Sequence, residues 1–159
     1  MADTEMQKQQ VLDAIAGNSF CALATASAAN RPHVVGVMYV AVDNVLYVGV
    51  DDSSIKARNI RQNPHVAVCI PVSQGPGIPP FCVQFQATAE LHAPRDPAVA
   101  GLIGDGRLAA ITGHGVLDDP ETRIVRITPG RRVATYGVGL SLEEVMRDPI
   151  HASRSVTLR

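Results

Sequence analysis

The stretch Phe81-Cys82-Val83-Gln84-Phe85-Gln86-Ala87-Thr88-Ala89-Glu90-Leu91-His92 decides the fold class. Phe81, Val83, Phe85, Ala87, Ala89 and Leu91 alternate with Cys82, Gln84, Gln86, Thr88, Glu90 and His92. This period of two puts one apolar and one mostly polar face on a long strand. Upstream, Ser73-Gln74-Gly75-Pro76-Gly77-Ile78-Pro79-Pro80 reads as a loop, and His65 to Ile70 as a short apolar strand before it. Val45 to Val50 is a further strand. Asp43-Asn44, two residues that tolerate positive φ, joins it as a hairpin to a long apolar run from His33 to Val42. Phe20 to Ala26 precedes that run across the break Ala28-Ala29-Asn30-Arg31-Pro32.

Helices are few and short in this reading. Val11, Leu12 and Ile15 recur at helical spacing in a first helix over residues 1–17, with Asp3 or Thr4 as its cap and Gly17-Asn18 as its end. Asp51-Asp52-Ser53-Ser54 opens a second helix, with Ile55, Asn59 and Ile60 on one face, which stops at Asn63-Pro64. Pro94 to Ile111, with Val99, Leu102, Ile103 and Leu108, predicts one or two more. Downstream, strands are expected over Arg123 to Thr128 and Arg132 to Tyr136, split by Pro129-Gly130. Ser141, with Glu144 three residues on, opens a last helix to Arg147. Many short antiparallel strands with helical caps define a mainly β barrel. The chain is read as one domain, with the barrel over residues 20–136 and a helix and tail over 141–159.

Bulk properties exclude several functions. The 159 residues suffice to bury roughly 70% of the unfolded surface without a disulfide or metal staple. With 14 Lys+Arg against 15 Asp+Glu and a net charge of -1, no basic field attracts nucleic acid. No apolar run reaches the roughly 18 residues needed to span a bilayer, and Met1 to Gln10 has no signal-peptide core. Cys21, Cys69 and Cys82, odd in number and set among apolar residues, read as buried free thiols in a reducing, cytoplasmic compartment. His33, His65, His92, His114 and His151 are scattered and no Cys-x-x-Cys occurs, so no metal site is expected. Gly104-Asp105-Gly106-Arg107 fits a dinucleotide fingerprint by letter, but no strand precedes it, and a helix break explains it better.

Chemistry concentrates at Val48 to Ile60. A strand there runs into a helix start, where unpaired amides, the Ser54 hydroxyl and Lys56 form a plausible phosphate seat, with Arg58 on the adjacent turn. Asp51 and Asp52 would repel a phosphate unless they point away. Aspartates that merely cap the helix, with Lys56 and Arg58 solvated, would produce the same letters.

The order Ala22-Leu23-Ala24-Thr25, Arg31-Pro32-His33-Val34-Val35, Leu46-Tyr47-Val48, Ser54-Ile55-Lys56-Ala57-Arg58-Asn59-Ile60 and Asn63-Pro64-His65-Val66-Ala67-Val68 resembles the pyridoxamine 5'-phosphate oxidase-like family. These are FMN-binding split barrels and their relatives that bind the deazaflavin F420. The resemblance spans Phe20 to Leu91 and implies a split β-barrel of about six antiparallel strands with short capping helices. It implies a homodimer with FMN in a groove between subunits, held by the Ser54-Ile55-Lys56 turn with its phosphate on Lys56 and Ser54, and the backbone of Val35, Gly36, Val37 and Met38 and of Gly49 and Val50 along the ring and ribityl chain. Cys82 stands where a glutamine of the oxidase contacts flavin, and Val35 and Ile55 stand where it has arginines. The oxidase's C-terminal substrate pattern is missing around Arg131, Arg132 and Arg154, so vitamin B6 oxidation is not expected.

The implied activity is an FMN-dependent oxidoreductase with an unassigned small-molecule substrate. An F420-dependent reductase, a haem binder, and a cofactor-less or flavin-storing interaction dimer remain alternatives. Tyr39, Tyr47 and Tyr136 are candidates for the ring edge, or else core residues. The tail from Pro149 to Arg159 is free to reach the other subunit.

Overall fold

A computed structural model describes residues 1–159. The chain runs α1 (Ala2–Gly17), β1 (Phe20–Ala26), β2 (Pro32–Met38), β3 (Val40–Val42), β4 (Val45–Asp51), α2 (Ile55–Gln62), β5 (His65–Val72) and β6 (Phe81–His92). It continues with α3 (Pro97–Gly104), α4 (Ala109–Thr112), β7 (Thr122–Tyr136), α5 (Leu142–Arg147) and β8 (Ser153–Thr157). One antiparallel sheet of eight strands, ordered β2-β1-β5-β6-β7-β4-β3 with β8 against β7, curls into a split barrel. No helix is long and apolar enough to cross a membrane.

The alternation in β6 is realised: Phe81, Val83, Phe85, Ala87 and Ala89 are buried, while Gln84, Gln86, Thr88 and Glu90 are exposed. Inside the barrel Val83, Phe85, Ala87 and Ala89 meet Leu23, Leu46, Val48, Val68, Ile70 and Ile127, while Phe81 packs with Val145 and Ala152. Outside it, Tyr47 and Ile124 are covered by Val99 and Leu108 from the α3–α4 segment, so β4 and β7 are buried on both faces where they pair. The hairpin reading holds, since Asp43 and Asn44 both adopt positive φ. That conformation matches the twist of the flanking strands.

The structure corrects several expected boundaries. The run His33 to Val42 is two strands: β2 pairs with β1, β3 pairs with β4, and Tyr39 is the corner between them. Arg123 to Tyr136 is one strand, not two. Pro129-Gly130 forms a bulge, where the register against β6 jumps between Phe85 and Ala87. A Cβ on Gly130 would lie 3.0 Å from the Gln86 carbonyl oxygen, so a side chain there would crowd the backbone of β6 at the bulge. The tail supplies β8 to its own chain, taking Val133 opposite Val156, and becomes the eighth strand of a sheet that already has seven. Neither Asp3 nor Thr4 caps α1, which starts at Ala2 without a side-chain cap. Ile55 is half exposed, and the buried face of α2 is Ala57, Asn59 and Ile60. Among the thiols Cys21 alone is fully buried, and all are free.

At α5 the predicted capping box is complete. Ser141 Oγ accepts from the Glu144 amide at 3.1 Å, and the Ser141 amide donates to Glu144 Oε2 at 2.7 Å. These bonds from Ser141, backbone first, hold the Glu144 carboxyl below its ordinary value. A depressed folded pKa means that this contribution is present at neutral pH and fades as the pH falls through the acidic range. Ser141→Ala is expected to cost about 1 kcal/mol in chemical unfolding at pH 7. The cost shrinks in the same titration at pH 3.

Candidate functional site

The start of α2 brings free backbone donors and a lysine together. Ser54 is its N-cap, accepting from the Ala57 amide at 3.3 Å and donating its hydroxyl proton to the Asp51 carbonyl at 2.7 Å. The serine is therefore engaged as a cap, and the groups left over are the Ile55 and Lys56 amides, which have no acceptor within the chain. Partly buried Lys56 adds an ammonium with no carboxylate within 4.0 Å. Amides at a helix start together with an unpaired ammonium favour an oxyanion.

The two aspartates that could oppose this are committed elsewhere. The Asp51 carboxylate accepts from the side chain and amide of Ser53, which hold its pKa below the ordinary value, with Lys56 and Arg123 contributing less. Asp52 is paired with Arg61, and its Oδ1 lies 3.4 Å from Arg123 Nε. The reading in which the aspartates cap the helix by their side chains is thus replaced: Ser54 caps, Asp52 is paired with arginines, and Asp51 stays ionised on Ser53.

The other expected residues fall into three places. Val35 and Val37 lie on the less exposed side of β2, while Gly36 and Met38 face outward. A Cβ on Gly36 would strike the Phe20 ring at 2.7 Å, so its own chain fills that space. Val50 is buried in the barrel, and the Cβ missing from Gly49 would point at the Ile111 carbonyl oxygen at 3.3 Å. β2 and β4, from opposite arms of the curled sheet, approach each other, and α2 follows directly on β4. Cys82 stands apart on the outer face of β6, opposite Pro71 of β5, with β5 and β1 between it and β2. Burial and then the neighbouring Cys69 thiol push the Cys82 thiol up to about 11, so it is protonated at neutral pH. Tyr39 and Tyr47 are core residues at 1% and 4% exposure, which removes them from a ring edge.

The outer face carries a feature that the letters did not reveal. A groove of about 710 Å³ has a floor of Ala22, Ala24, Ala67, Cys69 and Ala134 and a rim of Arg132, Ser153, Arg154 and Ser155. Arg132 donates to Ser155 Oγ at 3.2 and 3.3 Å, and no carboxylate lines the groove. Arg132 and Arg154 are 22 positions apart and meet only because β8 pairs with β7. Phe20, Val34 and Met38 stand exposed on the same side of the sheet.

A curled antiparallel sheet split in this way, with short capping helices, defines the split barrels as a class of fold. Residues 7–135 match the family model described as pyridoxamine 5'-phosphate oxidase, and the chain belongs to that family. Among solved structures it is similar to the haem-storage protein HutZ from Vibrio cholerae, at 19% identity and a TM-score of 0.67, covering 82% of this chain and 95% of that one. General Stress Protein 26 from Bacillus anthracis matches at 22% identity and a TM-score of 0.62, over 80% and 92%. An FAD-binding protein from Mesorhizobium loti matches at 22% identity and a TM-score of 0.59, over 82% and 90%. At these identities the likeness is one of fold. No curated protein matches.

Proposed function

We propose that this protein is a homodimeric, cytoplasmic FMN-binding oxidoreductase whose cofactor phosphate rests on the Ile55 and Lys56 amides and the Lys56 ammonium. The observation that carries the reading is that seat: two free amides and a cation in no ion pair, with Asp52 paired to Arg61 and Asp51 hydrogen-bonded to Ser53. The backbone of Val35 to Met38 and of Gly49-Val50 would lie along the ring and ribityl chain. Ser54 would act by holding the helix start rather than by touching the phosphate. When bound, the flavin supplies the hydride or electron chemistry, and the protein binds, orients and shields it. The small-molecule substrate then needs no acid or base from the chain.

The position of Cys82 supports the dimer. On one chain it is too many strands from β2 to share a ligand with it, whereas a second copy laid against the outer sheet face would bring its own Cys82 to the split. The apolar floor of the groove and exposed Phe20, Val34 and Met38 make that face suited to a partner. Free thiols on an exposed face support a reducing compartment.

Light scattering of the purified chain is expected to give twice its 16.8 kDa mass. The visible spectrum should show flavin bands, and mass analysis of the released molecule should identify FMN. A monomer that nevertheless binds FMN would remove the shared groove. Haem is the second reading, favoured by the likeness to HutZ, described as a haem-storage protein. A Soret band in place of flavin bands would establish it. A colourless chain that takes up F420 but not FMN would keep the seat and change the cofactor.

A further inference from the structure

His33 Nδ1 is the one buried side-chain nitrogen or oxygen in the chain without a hydrogen-bond partner. Buried polar atoms are nearly always satisfied, and an orphan calls for an explanation. Its place in the fold offers one. His33 lies on the less exposed side of β2, opposite Thr25 of β1. Thr25 Oγ1 accepts from the buried Asn59 amide of α2 at 2.9 Å, so this corner of the sheet is fastened directly to the helix. Lys56 precedes Asn59 by three residues and shares its helix face, one turn nearer the anion seat.

We infer that His33 is a further ligand of that seat, its Nδ1–H donating to a phosphate oxygen held by Lys56 and the α2 amides. The inference rests on the proposed FMN reading and adds a residue to it: β2 contributes a side-chain donor, although Val35 stands where the oxidase has an arginine. A buried imidazole nitrogen with no partner inside its own chain is the arrangement expected of a binding group, since a bound oxyanion would meet its desolvation. It also gives a signature that a structural histidine lacks. Removing the orphan should leave the ligand-free protein as stable or make it more stable, while binding weakens.

The test compares wild type with His33→Leu and His33→Asn, the latter keeping an amide near the place of Nδ1, using FMN, riboflavin and inorganic phosphate as probes. Flavin fluorescence quenching and phosphate-dependent thermal shifts are read, alongside melting of the ligand-free proteins. His33→Leu is expected to weaken FMN binding about threefold to tenfold and to leave riboflavin binding unchanged, because riboflavin lacks the phosphate. The phosphate-dependent shift should shrink in step, and His33→Asn should recover part of both losses. Equal FMN affinity in wild type and His33→Leu would overturn the role of His33 and leave the flavin reading standing. Phosphate binding that depends on His33, without binding of either flavin, would keep the residue in the seat and overturn the FMN reading. A His33→Leu protein that melts lower without ligand would make the histidine structural.

Discussion

Lys56→Ala is expected to weaken FMN binding about tenfold to a hundredfold, with little change in the unfolding midpoint. The first figure is the roughly 1.5–3 kcal/mol of a hydrogen bond to a charged group, converted to affinity. The second follows from what Lys56 does not do. Its ammonium makes no ion pair within the chain, the helix face that packs inward is Ala57, Asn59 and Ile60, and alanine is at least as good a helix former as lysine. Lys56→Arg retains the charge and should bind within a few-fold of wild type. Riboflavin affinity should hardly move in either variant, which separates loss of phosphate contact from general damage to the groove. Titration by flavin fluorescence checks the prediction, and an unchanged affinity for FMN in Lys56→Ala would sink the seat. Asp52→Asn provides a converse check. It frees Arg61 and Arg123 and removes a nearby carboxylate, so FMN binding should hold or tighten.

The barrel was legible where side-chain period alone determines the outcome. In β6 each apolar residue faces the core because the pleat leaves it no other side, and Asp43-Asn44 reveals its hairpin because few residues accept two positive φ angles in a row. The misread places are those decided by distant partners. Nothing in the run His33 to Val42 marks Tyr39 as a corner, since the change from pairing with β1 to pairing with β4 depends on where those strands lie. Pro129-Gly130 looks like a strand end because proline gives no amide to a ladder. In the sheet the pair forms a bulge, and Arg159 Nη2, from the far end of the chain, donates to the Pro129 carbonyl at 2.6 Å. β8 carries only Val156 as a buried strand residue and shows no convincing period by itself.

The same distinction divides the site. The helix start at Ser54 could be read from capping residues, but whether Asp51 and Asp52 oppose an anion depended on Arg61, Arg123 and Ser53, which no local rule identifies. The groove on the outer face joins residues from β1, β5, β6, β7 and β8, so it has no sequence signature at all. His33 had a letter compatible with many roles, and only the loss of every partner to its Nδ1 singles it out.

Tyr39→Ala should lower stability by about 3–5 kcal/mol, the cost of removing a large buried ring, and with it the thermal midpoint by roughly 6–20 °C. Tyr39 is 1% exposed at the point where β2 becomes β3, and it makes two directed contacts there. Its amide donates to the Ser19 carbonyl at 2.8 Å, and its hydroxyl donates to the Ile15 carbonyl at 2.6 Å. Ile15 lies in the last turn of α1, where carbonyls have no helical donor. The tyrosine therefore closes that helix end while turning the strand. Burial, with a smaller effect from the Cys21 thiol, raises the hydroxyl pKa, so it stays protonated and keeps donating at any physiological pH. Tyr39→Phe separates the two parts of the loss. It keeps nearly all of the packing and orphans the Ile15 carbonyl, for an expected cost of about 1–3 kcal/mol that does not vary between pH 6 and 9. Equal losses in the two variants would mean that the hydroxyl bond carries the whole effect, and no loss in Tyr39→Phe would mean that α1 is held by its packing alone. The corner that fixes the exit of β2 also fixes where His33 and Val35 lie beside β1, to which Asn59 of α2 is bonded through Thr25. FMN binding should therefore weaken in Tyr39→Ala even at temperatures where the protein remains folded, and should stay near wild type in Tyr39→Phe.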